Sequence, residues 1–124
     1  MEKSFAIFGA VFMLLGVGAG AFGAHALEAY FEKVPHLEST FQTAVRYQLY
    51  HALGLFAVAW VASRWPGNLV NVSGYLIVTG IVLFSGSLYL LSATDASWLG
   101  AITPLGGAAF IAGWIILAIA IWRG

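Results

Sequence analysis

The chain has 124 residues, of which 61% are hydrophobic and only 8% charged, where an ordinary soluble domain is about one quarter charged; it reads as a membrane protein. Five basic and five acidic side chains cancel to a net charge of +0, which leaves no electropositive stripe for nucleic acid and no polybasic arm for anionic lipid. The absence of cysteine excludes disulfides, thiolate catalysis, iron–sulfur clusters and Cys-ligated zinc, and the length fits one domain over 1–124.

A bilayer core about 30 Å thick is crossed by about 20 apolar helical residues, so charge-free runs of that size mark the predicted elements. The first covers 5–24, FAIFGAVFMLLGVGAGAFGA. It is too long for the apolar region of a secretory signal, and MEK before it carries little net positive charge, so it is read as a spanning helix despite the signal-like GAHA at its end. After it, HALEAYFEKVPHLES alternates apolar and charged residues at helical spacing. That pattern predicts a short amphipathic helix on the membrane surface, ended by Pro35.

The second spanning helix is placed at 41–63, with Arg46 near its start and His51 near its middle. Pro66 and Gly67 in RWPGN make a tight turn, so the next helix returns antiparallel. From Trp65 to Trp122 the only charge is Asp95, and this run must cross twice, at 69–92 and 103–122. Pro104 suits the first turn of the last helix, with Thr103 as its capping hydroxyl; the alternative is a longer helix from Ala96 kinked at Pro104. ATDASWLGAI is then an interfacial loop anchored by Trp98, with Asp95 capping the last segment or a loop turn.

The predicted fold is all-α: a polytopic antiparallel four-transmembrane-helix bundle with both termini on one side. Lys3, Arg64 and Arg123 fall on that side, against Lys33 and Arg46 on the other, which puts the termini in the cytoplasm. Association of apolar helices in lipid depends on close backbone approach. Gly16 and Gly20, with Gly23 on an adjacent ridge, then Gly74, Gly80 and Gly86, and finally Gly106, Gly107 and Gly113 supply small residues for it.

TAVRYQLYHALGLF, residues 43–56, puts polar groups at the head of an apolar run. Tyr47 and His51 are four apart, as are Arg46 and Tyr50, and Gln48 is three before His51. Helical spacing therefore predicts one inward polar patch, with Ser85, Ser87 or Tyr89 as partners across the bundle. Arg46 lies close enough to the helix start for its head to snorkel to the interface, whereas His51 needs a hydrogen-bonding partner or a cavity. Two readings stay open: these groups fix helix register, or His25, Glu28, Arg46, Tyr47, Gln48, Tyr50 and His51 line an outward pocket for a small ligand, anion or proton. A third and weaker reading is a metal site on His25 and Glu28 at i, i+3 spacing, with Glu32, His36 and Glu38 nearby as hard ligands; it lacks a second matching set, so no metal residue is assigned. No nucleophile–base–orienter set is present, so no catalytic residue and no cofactor is expected. The expected role is non-enzymatic binding of membrane lipids, a second copy or another membrane protein, with transport through the Arg46–His51 patch as the alternative.

The blocks GAFGAHAL, FQTAVRYQLYHALGL, FSGSLYLL and ITPLGGAAFIAGW resemble the YgdD-like family of small four-helix bacterial membrane proteins. That family is described as a domain of unknown function, with distant relatives among small eukaryotic transmembrane proteins. The resemblance covers essentially the whole chain. It implies a multi-pass protein of the bacterial inner membrane, with no established activity, cofactor or catalytic residue. It places His25, Arg46, Tyr47, His51, Gly86, Pro104 and Gly107 on motif positions without assigning them a role.

Overall fold

A computed structural model describes all of residues 1–124. The chain is helical from end to end: α1 (Glu2–His25), the short α2 (Glu28–Lys33), α3 (Pro35–Arg64), α4 (Asn68–Gly80), a π-helical stretch Ile81–Ser85, α5 (Gly86–Thr94), a 3₁₀ stretch Ser97–Ala101, and α6 (Thr103–Arg123). α4, the π stretch and α5 form one rod. By length and composition, three segments are apolar enough to cross a membrane: Glu2–His25, Asn68–Thr94 and Ser97–Arg123. α3 is longer than any of them in α-helix, but Arg46, Gln48, Tyr50 and His51 lower its apolar character.

Two ends are corrected. Pro35 opens α3 instead of ending the preceding helix, because the first turn of a helix needs no N–H from it. The helix that carries the polar residues therefore begins six residues before the predicted 41, and Arg46 lies three turns inside it rather than near its start. Thr103 begins α6, but its hydroxyl does not cap it; it bonds Ser87 Oγ at 2.6 Å instead. That bond ties the head of α6 to α5.

α1 packs mainly on α3, and α4 mainly on α6. The close approaches give the register. Along α1, Gly9 meets Ala52 and Phe56, Gly16 meets Leu49, Gly20 meets Val45 and Gly23 meets Phe41, so rising positions of α1 meet falling positions of α3. The second pair repeats this: Gly113 meets Ile77 and Ser73, Gly80 meets Phe110, and Gly106 lies against the backbone of Phe84. A side chain at Gly106 would collide with main chain, which cannot swing aside. Gly86 and Gly18 have nothing within 4 Å of where a Cβ would stand, so helix packing does not account for them.

Where the two pairs meet, Phe5, Leu55, Val58, Val70 and Ile77 are buried with Phe110 and Leu117 in one core. A smaller cluster of Phe31, Leu37, Phe41 and Val45 seats α2 at the far end. There, Tyr30 Oη donates to the Ser92 carbonyl at 2.7 Å. Asp95, in the left-handed region at φ 56°, terminates α5, a conformation aspartate tolerates better than most residues. Its carboxylate meets His36 Nε2 at 3.2 Å, so it joins the start of α3 to the end of α5 and does not cap the last segment.

Candidate functional site

Helical geometry sorts the residues of 43–56 by face. Ala44, Gln48, His51, Leu55 and Val58 are buried and recur every three or four residues, forming the inward stripe of α3. Arg46, Tyr50, Leu53 and Trp60 recur likewise and are exposed. The predicted single inward patch is thus corrected, since Arg46 and Tyr50 belong to the outer face. Arg46 finds only Thr43 Oγ1, at 3.4 Å. Tyr47 stands between the faces, its ring 4.6 Å from that of Phe84.

The two buried polar residues serve different neighbours. Gln48 Nε2 donates to the Phe12 carbonyl of α1 at 2.8 Å, while its Oε1 accepts the Tyr89 hydroxyl of α5 at 2.6 Å. One amide therefore links three helices. One turn earlier, Ser85 Oγ donates to the Ala44 carbonyl at 2.7 Å. Tyr89 and Ser85 are thus the partners expected from the third predicted helix, whereas Ser87 is used elsewhere.

His51 faces α6. Its ring lies 3.6 Å from Phe110, nearly parallel at 12°, and its Nε2 is 3.0 Å from Trp114 Nε1. An indole N–H only donates, so Nε2 carries the lone pair. Nδ1–H then donates to the Tyr47 carbonyl at 2.9 Å. Both ring nitrogens are engaged and the neutral tautomer is defined. Trp114 was not anticipated from sequence, yet its indole is the only side-chain hydrogen-bonding group between Thr103 and Trp122. That isolation was the available signal.

His25 and Glu28 do not join these groups. His25 is exposed at the end of α1. Glu28 lines a crevice of about 390 Å³ with Glu32, Glu38 and Gln42. No group of three His, Asp or Glu side chains is placed to hold a metal ion, and every buried side-chain nitrogen and oxygen has a hydrogen-bond partner.

An all-helical chain with three segments apolar enough to cross a bilayer, whose interior polar groups close on one another, defines a helical membrane protein. The family described as "Protein of unknown function (DUF423)" matches residues 19–107, and the chain belongs to that family. It is 54% identical over 121 residues to the UPF0382 membrane protein YwdK of Bacillus subtilis, covering 95% of each chain. It is 46% identical over 121 residues to the UPF0382 membrane protein SH2409 of Staphylococcus haemolyticus, covering 98% of this chain and 97% of that one. The four sequence blocks pointed to this same group. No solved structure matches the chain.

Proposed function

We propose that the chain crosses the bacterial inner membrane four times, through α1, α3, the α4–α5 rod and α6, as an antiparallel bundle with cytoplasmic termini. It acts without catalysis, by binding a membrane partner or lipid on its outer faces. One observation carries this reading: every buried side-chain nitrogen and oxygen makes at least one hydrogen bond within the chain, so each interior group helps to hold helices together. In lipid an unmade hydrogen bond is expensive, and Gln48 and His51 are where a bundle would need pairing. The outer faces remain, including Leu14, Val17 and Gly18 of α1 and Leu105, Ile111 and Ile115 of α6. Transport through His51 and Arg46 draws no support, because the imidazole is closed by Tyr47, Phe110 and Trp114 and Arg46 points away from it.

Photo-crosslinking residues placed singly at Leu14, Val17, Ile111 and Ile115 in native membranes test the reading. It predicts a discrete adduct, to lipid, to a second copy or to another membrane protein, concentrated on one face. Uniform weak labelling of bulk lipid at all four positions would overturn it.

A further inference from the structure

A cleft of about 240 Å³ opens between α1 and the middle of the α4–α5 rod, lined by Phe12, Leu15, Gln48, Val82, Gly86 and Tyr89 among others. Gln48 lies thirteen residues after Pro35 and sixteen before Arg64, about 20 and 24 Å of helix from either end. The cleft is therefore at midspan. Its walls are apolar, but the Gln48–Tyr89 pair lies on its floor.

Three independent features of this cleft are not explained by helix packing. The first is hydrogen-bonding capacity: the Gln48 amide has two N–H bonds, only one of which is used, on Phe12. Gln48 is 4% exposed yet lines the cleft, so in hydrocarbon its second donor depends on what the cleft holds. The Tyr89 oxygen, which donates to Gln48, also keeps lone pairs. The second is Gly86, whose missing side chain no protein atom requires and which forms part of the cleft wall. The third is the π stretch Ile81–Ser85, which ends beside Gly86; such insertions re-aim the residues that follow and recur at binding sites.

We propose that this midspan cleft binds a lipid-soluble carbonyl compound, a quinone or ketone dissolved in the bilayer interior, whose oxygen accepts the free Gln48 N–H while its ring or chain lies against Gly86 and Leu15. The spare group is a donor, which selects an acceptor. The depth selects the source: phospholipid ester carbonyls sit near the interface, roughly 15 Å from the midplane, whereas a quinone head reaches the centre. This site rests on the four-crossing reading, which places the cleft in hydrocarbon.

The test uses the full chain in nanodiscs, with two diazirine probes of equal length, an alkyl ketone and the corresponding alkane. The ketone is expected to label Leu15 and Val82 roughly fivefold to tenfold more than the alkane, as one hydrogen bond of about 1 kcal/mol or slightly more implies. Decyl-benzoquinone should compete and a diacyl phospholipid should not. Gly86→Leu projects a side chain into the cleft with both members of the polar pair retained and should abolish labelling, while Gln48→Leu should equalise the two probes. Equal labelling by both probes in the wild type, competition by phospholipid but not by quinone, or unchanged labelling in Gly86→Leu would each overturn the proposal. Reporters fused to both termini show separately whether the chain crosses four times, so a failure of the cleft is distinguished from a failure of the topology.

Discussion

Replacing Gln48 by leucine keeps most of the volume and removes both bonds by which the amide joins α1 and α5 to α3. The Tyr89 hydroxyl is then stranded. Interhelical hydrogen bonds in membranes are worth about 0.6 kcal/mol on average and up to about 2 kcal/mol; the expected loss is about 1–3 kcal/mol, read as a lowered unfolding midpoint in detergent. His51 separates two contributions. His51→Phe preserves stacking on Phe110 but orphans the Trp114 N–H, and should cost about 1 kcal/mol. His51→Ala also leaves a void and should cost about 2–4 kcal/mol. Equal losses in the two variants would mean that the ring's nitrogens, not its shape, dominate. Sequence spacing marked His51 as needing a partner or a cavity and put Gln48 on the same side of the helix. It misassigned Arg46 and Tyr50 because neighbours four apart share a face with each other, not necessarily with the core; their alignment with Leu53 and Trp60 was the cue.

At the scale of the helix, glycines divide by what stands opposite. Gly106→Ala would drive a methyl into the Phe84 backbone at the π stretch, and an overpacked contact of this kind costs about 1–3 kcal/mol. Gly86→Ala meets nothing and should be neutral or stabilising by up to about 1 kcal/mol, since alanine is the better helix former. Thermal denaturation of the two variants side by side checks this contrast. α1, the α4–α5 rod and α6 were legible because their runs are apolar almost throughout. The start of α3 was not, since proline both ends one helix and opens the next. The π stretch Ile81–Ser85 left no mark in the sequence, because a single widened turn changes neither hydropathy nor residue spacing.

For the molecule as a whole, the proposed topology makes a sharp expectation. Trp65, in the turn between α3 and α4, lies against Gly124, and the Met1 sulfur is 3.6 Å from the hydroxyl of Tyr75, two turns into α4. Both termini thus share one end with the 65–67 turn. α2 and the loop at Asp95 share the other. Fluorescent-protein fusions at either terminus should both report cytoplasm, and a periplasm-dependent enzyme inserted after Asp95 should be active; termini on opposite sides would exclude four crossings. The family and the helical class could be read from the four motifs and the composition. Which polar groups close on which helices could not, because those partners lie some 36 to 63 residues apart in the chain.

The bond between Trp114 and His51 spans 63 residues, and it sets an order of assembly. On the proposed topology α3 is the crossing least able to enter lipid unaided, and its imidazole has no indole to accept from until α6 has been synthesised. On the proposed topology, insertion of α3 is then cooperative with that of α6, a helix made later in the chain. On that topology a chain cut short before Trp114 is expected to hold α3 less firmly in the bilayer, read as faster proteolysis of α3 in membranes.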